Sequence, residues 1–246
     1  MVADQSGEIP SSTAGSSEVG HTHADLSGGW LRPAVFGAMD GLVTNIALVA
    51  GVGGAGGDRH MLVLSGTAGL IAGAFSMALG EYVSVDTQNN SVRSEVRKER
   101  GEMVRDPDGE RAELAGMYQE DGMTPDTACR AAEEIHQDTD RALRTHVVHE
   151  LGVDPDEQPS PWTAAISSFC CFAVGALLPL LPFLLGVQSL LLGLTAGAAG
   201  LFVSGAVVAR FTTRPWWWNG TRQLLFGALA AGATYLVGGL IGVSPA

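Results

Sequence analysis

Three pairs of residues at helical spacing stand in one polar stretch of this chain: Glu99 with Glu102, Glu110 with Glu113, and His146 with Glu150. Residues three or four apart share a helix face. Each pair can therefore turn two oxygens, or an oxygen and an imidazole nitrogen, toward one ion. Carboxylates at that spacing repel each other by about 0.2–0.5 kcal/mol per pair unless a cation sits among them. Carboxylates alone suit Mg, Ca or Mn, and an added imidazole moves the preference toward Fe, Mn or Zn. Two such helices side by side, with a third bringing His146 and Glu150, make a carboxylate-rich cage. A solvated acidic helix surface carries the same residues, and spacing alone leaves both readings open.

The stretch that holds these pairs, Asp86 to Glu157, contains nineteen of the 26 carboxylates and nine basic residues, so it supplies ten of the twelve excess negative charges. Elsewhere charge almost vanishes. Asp40 is the one charge between Pro33 and Gly57, and Glu81 the one between His60 and Val85. Trp162–Ala209 and Gln223–Ala246 carry none. Runs of this length without charge are membrane spans. Five are placed, at about 33–52, 61–85, 164–185, 189–209 and 224–243, each with the roughly 20 residues that cross about 30 Å of hydrocarbon. The third and fourth are divided only by Gly186-Val-Gln-Ser189.

Two charges inside these spans bear on chemistry. An ionised carboxylate within a span is costly and is normally kept for a pathway or a partner. Asp40 is such a residue, with Thr44 one turn deeper on its face. A hydrogen bond to a neighbouring helix is the other use Asp40 could have. Glu81 lies near the end of the second span, one turn from Met77. Met77 with the two carboxylates fits a mixed oxygen and sulfur site for a divalent transition metal; Glu81 also fits an interfacial charge.

Basic residues orient the chain. Arg32, the nine bases of the acidic stretch, and Arg210, Arg214 and Arg222 fall on one side, and Arg59 on the other. The positive-inside rule places the N-terminus and the acidic stretch in the cytosol and the C-terminus outside. Trp216, Trp217 and Trp218 read as an interfacial anchor, with a binding box as the alternative. Small-xxx-small pairs such as Gly37/Gly41 and Gly238/Gly242 allow close helix contact, in a tight bundle or a dimer.

The acidic stretch divides into three helices. One continues from the second span over about 87–104 and stops at Asp106-Pro107-Asp108-Gly109. Another covers about 110–121, and the third runs from Thr124-Pro125-Asp126 to Leu151, with Gly152 as its C-cap. The domain plan is a disordered tail (1–30), spans one and two (31–85), a cytoplasmic acidic helical metal-binding domain (86–160) and spans three to five (161–246).

Other chemistries are weaker. Glu133-x-x-His136 is half of a di-iron carboxylate pattern whose second half is missing. Cys129, Cys170 and Cys171 make neither a CxxC nor a disulfide framework. His21 and His23 belong to the tail. Phosphate loops, nucleophile elbows and basic patches are absent, so neither an enzyme nor a nucleic-acid binder is expected.

At Gly37-Ala-Met-Asp-Gly-Leu-Val-Thr44, Ser76-Met-Ala-Leu-Gly-Glu-Tyr-Val-Ser-Val85, the acidic insert and Gly175-Ala-Leu-Leu-Pro-Leu-Leu-Pro-Phe183, the chain resembles the vacuolar iron transporter family. The resemblance runs from about Leu31 onward. It implies a five-span homodimer with its pore between the two first helices. It also implies proton-driven movement of Fe²⁺, and of Mn²⁺ and related ions such as Zn²⁺ or Co²⁺, out of the cytosol with no prosthetic group. Asp40 and Met77 match the family's pore metal site, and Glu99, Glu102, Glu110, Glu113 and Glu150 its cytoplasmic glutamates. Where some members carry methionines one turn before the last glutamate, this chain has His146 and Val147. The expectation is thus an all-α membrane protein that exports divalent metal across the cell membrane. A membrane-anchored metal sensor or store is the alternative, and Asp40 weighs against it, since a mere anchor needs no carboxylate at that depth.

Overall fold

The structure, a computed structural model, describes residues 29–211 and 213–242. Eight α-helices and one short 3₁₀ turn make up this part: α1 (Leu31–Gly54), α2 (Arg59–Arg105), α3 (Pro107–Glu120), α4 (Pro125–Ile135), α5 (Thr139–Leu151), α6 (Pro161–Leu184), α7 (Leu190–Val208), the turn Ala209–Phe211, and α8 (Trp216–Gly242). Residues 1–28 of the expected tail, with His21 and His23, and Val243 at the end of the fifth expected span lie outside the described residues.

Five helices are long and apolar enough to cross a membrane: α1, α2, α6, α7 and α8. They are the five expected spans. Gly186, at φ +95°, makes the turn between α6 and α7. α8 begins eight residues before the expected span, because hydropathy marks the bilayer-facing part of a helix and not its ends. The three tryptophans therefore occupy the first turn of α8, all exposed, where indole rings sit well at a membrane interface.

α1 is the centre of the bundle, packed on α6, α8, α2 and α7. The contact is backbone against backbone. A Cβ on Gly41 would land on the Phe172 carbonyl of α6, and one on Gly175 would land on the Ala38 carbonyl of α1. Farther along, a Cβ on Gly238 of α8 would strike the Gly51 carbonyl. The small-residue pairs are thus spent within the chain. Buried Leu42, Ile46, Val49, Phe172, Phe183 and Leu201 fill the space between helices. Polar groups here find backbone acceptors: Thr234 donates to the Ala47 carbonyl at 2.6 Å and Asn45 to the Ala176 carbonyl at 2.5 Å.

α2 is 47 residues long, roughly 70 Å at 1.5 Å per residue, so it outruns any bilayer. Its second half is the platform of an acidic lobe completed by α3, α4 and α5. Asp106 ends α2 and caps α3 by accepting from the Gly109 N–H at 3.0 Å, with Pro107 at the first helical position. Two small apolar cores hold the lobe. Leu114, Ala115 and Tyr118 of α3 pack on Ala128 and Ala132 of α4; Met103 of α2 packs on Ala142, Leu143 and Val147 of α5, and Ile135 touches both clusters. α5 ends at Gly152 in the left-handed conformation (φ +65°), as a C-cap should. The return to α6 is tied down by Asn89, which donates to the Pro159 carbonyl at 2.9 Å, and by Arg144, which pairs with Asp154 and Asp156.

The expected third helix of the lobe is two helices. The chain breaks at His136-Gln137-Asp138, where Asp138 caps α5 by accepting from the Arg141 N–H at 2.9 Å. Arg141 turns its guanidinium back onto the Glu134 and Ile135 carbonyls, satisfying the end of α4.

Candidate metal centre

Three helices of the lobe each send one side chain to a common point. Glu99 comes from α2, Glu110 from α3 and His146 from α5, all buried, with His146 at 0% exposure. The Nδ1 atom of His146 lies 3.1 Å from Glu99 Oε1, 3.6 Å from Glu110 Oε2 and 3.6 Å from Glu150 Oε1. One potential ligand atom from each of Glu99, Glu110 and His146 falls within 4.8 Å of the others.

None of these facing atoms makes a hydrogen bond. Glu99 Oε1, Glu110 Oε2 and both ring nitrogens of His146 are buried and unpartnered. Buried polar atoms are nearly always bonded, and exceptions ask for an explanation. A cation at the point where they converge supplies one.

The electrostatics point the same way. The Glu99 carboxyl is pushed up to about 8, first by burial, then by the adjoining Glu110 carboxyl and the charges of Glu150 and Glu102. Burial, then Glu113 and Glu102, raises Glu150. His146 is lowered, by burial first and by His136 second. The carboxylates resist charging and the imidazole resists protonation. A divalent ion relieves the first and uses the lone pair left by the second.

The helical pairs divide between inside and rim. Glu99 and Glu110 are buried, while Glu102 is half-buried and Glu113 exposed; Glu150 is exposed but reaches His146. A second imidazole, absent from the sequence-based candidates, stands beside the cluster. The ring of His136 meets that of His146 edge to face, with centroids 5.3 Å apart. On one unbroken helix these residues would stand about 15 Å apart along the axis, so the break between α4 and α5 is what brings them together. The Glu133-x-x-His136 spacing drew attention to His136 for another reason; the break itself, unmarked by Gly or Pro, gave no signal.

The candidates in the spans are arranged more loosely. Thr44 donates to Asp40 Oδ1 at 3.4 Å, and both are half-buried on α1. Met77 of α2 packs against the Ala74, Phe172 and Ala176 cluster, and Glu81 is half-buried one turn on. Among the described residues, no hydrogen bond or ion pair joins Asp40 to Met77 or Glu81, and Asp40 is bonded to Thr44. Two further polar atoms are buried in the spans without a partner, Asn45 Oδ1 on α1 and Ser168 Oγ on α6.

Five membrane-length helices, with a carboxylate–imidazole cluster on a polar extension of the second, define a multi-pass membrane protein. The chain belongs to the vacuolar iron transporter (VIT) family: the family model described as "VIT family" matches residues 31–239. It is 36% identical to a vacuolar iron transporter of Acanthamoeba castellanii over 201 residues, 76% of this chain and 73% of that one. It is 34% identical to vacuolar iron transporter homolog 1 of Oryza sativa subsp. japonica, over 87% of this chain and 75% of the relative. Vacuolar iron transporter 1 of Arabidopsis thaliana shares 27% identity, over 87% and 88%.

Proposed function

We propose that the protein carries divalent transition metal, Fe²⁺ and also Mn²⁺, out of the cytosol in exchange for protons, and that the acidic lobe loads the pathway. The observation that carries this reading is the buried Glu99–Glu110–His146 cluster on the same helix system as the second span. Glu81 and Glu99 are 18 residues apart on α2, five turns of 3.6 residues, so they share a face and stand about 27 Å apart along the axis. An ion released from the cluster meets Glu81 and Met77 next along that face, then Asp40 with Thr44. Proton and metal compete for the same oxygens, so protonation of Asp40 or Glu81 discharges the ion on the far side.

Residues 86–160 are in this reading a cytoplasmic metal-binding domain, with the N-terminus on the same side and the protein in the cell membrane. Glu102, Glu113 and Glu150 gather ions at the rim of the cluster. The spans work as a homodimer with the pathway between the two α1 helices. The half-exposed Asp40 of the single chain supports this, because lipid is a poor neighbour for a carboxylate and a second copy is a good one.

The test is metal flux into proteoliposomes loaded with a metal-sensitive dye. Wild type should move Fe²⁺ and Asp40→Asn should be at least about tenfold slower; equal rates would sink the transport mechanism and favour a membrane-anchored store.

A further inference from the structure

Beside the cluster, His136 has one ring nitrogen occupied and one idle. Its Nδ1 lies 2.9 Å from the Ala132 carbonyl. A carbonyl only accepts, so Nδ1 carries the proton and Nε2 of the neutral ring is a bare lone pair. That Nε2 is buried and has no hydrogen-bond partner.

His146 has the complementary need. The nitrogen it turns toward Glu99, Glu110 and Glu150 is Nδ1. An ion bound there uses the Nδ1 lone pair and leaves the proton on Nε2, which is also buried and unpartnered. A metal-bound imidazole almost always donates its second N–H to an acceptor, which sets the tautomer and the ring plane and raises the ligand's basicity. His149 does not supply that acceptor: its Nδ1 faces the Thr145 carbonyl at 3.0 Å and its Nε2 faces Asp121 at 3.8 Å. His136 is the ring in contact with His146, at 5.3 Å between centroids and 85° between planes.

We propose that His136 is the positioning residue of the metal centre: its Nε2 accepts the Nε2–H of His146, so that His146 turns a lone pair and not a proton toward the three carboxylates. The inference rests on the reading of the cluster as a divalent-metal site. The spacing suits it, because an N–H···N bond of about 3 Å between two five-membered rings places their centres roughly 5 Å apart. Closing that bond requires a turn of the rings about χ2, a broad torsion in histidine. The pairing gives the centre a dependable nitrogen donor, which favours Mn, Fe, Co and Zn over Mg and Ca.

The experiment measures Mn²⁺ and Co²⁺ affinity by calorimetry on the whole chain in detergent. His136→Phe keeps an aromatic edge and removes the acceptor; His136→Gln restores one; His136→Leu replaces the Phe variant should the larger ring prevent folding. The variant without an acceptor should bind about 10- to 100-fold more weakly, and His136→Gln should recover to within about threefold of wild type on the same scale. On a His146→Ala background, His136→Phe should cost nothing further, which a merely structural contribution would not reproduce. Wild-type affinity in His136→Phe, no recovery in His136→Gln, or an undiminished loss on the His146→Ala background overturns the assignment. If His146→Ala itself binds like wild type, the metal-centre reading falls with it. Weak binding by His146→Ala beside an unaffected His136→Phe removes the role of His136 alone.

Discussion

The membrane bundle and the acidic lobe solve opposite problems with the same element, the α-helix. In the bundle, glycines bring backbones together and apolar side chains fill what is left, so the packing needs no ion. In the lobe, two small apolar cores leave room between them for a buried group of carboxylates around an imidazole, which is ill at ease without a cation. The difference teaches where metal dependence should appear. The bundle's packing should hold without metal, and the lobe's stability should depend on metal and pH more steeply.

The largest effect should come from breaking the bundle's backbone contact. Gly41→Val places a branched Cβ where the Phe172 carbonyl already lies. Overpacking of this kind costs about 3 kcal/mol or more when backbone cannot yield. Size-exclusion profiles in detergent should show loss of the monodisperse protein, and added Mn²⁺ should not restore it.

Next in size is the response of the lobe to pH and metal together. Glu99, raised from 4.5 to about 8, binds its proton more tightly folded than unfolded. Its contribution is therefore fully present below pH 4.5 and is lost as pH rises through about 8. His146, lowered from 6.5 by burial, acts in the other direction below pH 6.5, so the clean window is pH 6.5 to 8. Across it, the lobe without metal should melt progressively earlier by circular dichroism. Saturating Mn²⁺ should reverse the slope, because metal affinity rises as Glu99 loses its proton. A melting temperature flat across that window would mean Glu99 is not the buried acid described.

The two regions also differ in how openly their sequence declares them. Spans announce themselves by missing charge, and the Asp106-Pro107-Asp108-Gly109 turn and the Gly152 cap are punctuated by residues of fixed conformational meaning. The cluster was half visible: spacing picked out Glu99, Glu110 and His146 but not which member of each pair is buried, since that depends on how α2 rotates against α3 and α5. The break at residues 136–138 was invisible. It has no Gly or Pro, and is made by Asp138 and Arg141 capping two helix ends with side chains that are equally at home on a helix surface. With it went the meeting of His136 and His146, a tertiary consequence of a three-residue interruption.

A smaller effect follows from that interruption. Asp138→Ala removes the N-cap of α5 and should cost about 1 kcal/mol, seen as a modest drop in the lobe's melting temperature. Because the same cap sets the angle between α4 and α5, Mn²⁺ affinity should fall with it, whereas Asp140→Ala, an exposed neighbour paired with Arg100 at 3.4 Å, should change little by either measure.

The claim that the lobe loads the pathway is tested most directly by the rate of Mn²⁺ flux against Mn²⁺ concentration for the Glu99→Gln, Glu110→Gln double variant in proteoliposomes. The account predicts slow flux at low Mn²⁺ and recovery toward the wild-type maximum at high Mn²⁺, since the spans and Asp40 are untouched. Wild-type flux at low Mn²⁺ would contradict it, and the buried cluster would then have no part in transport.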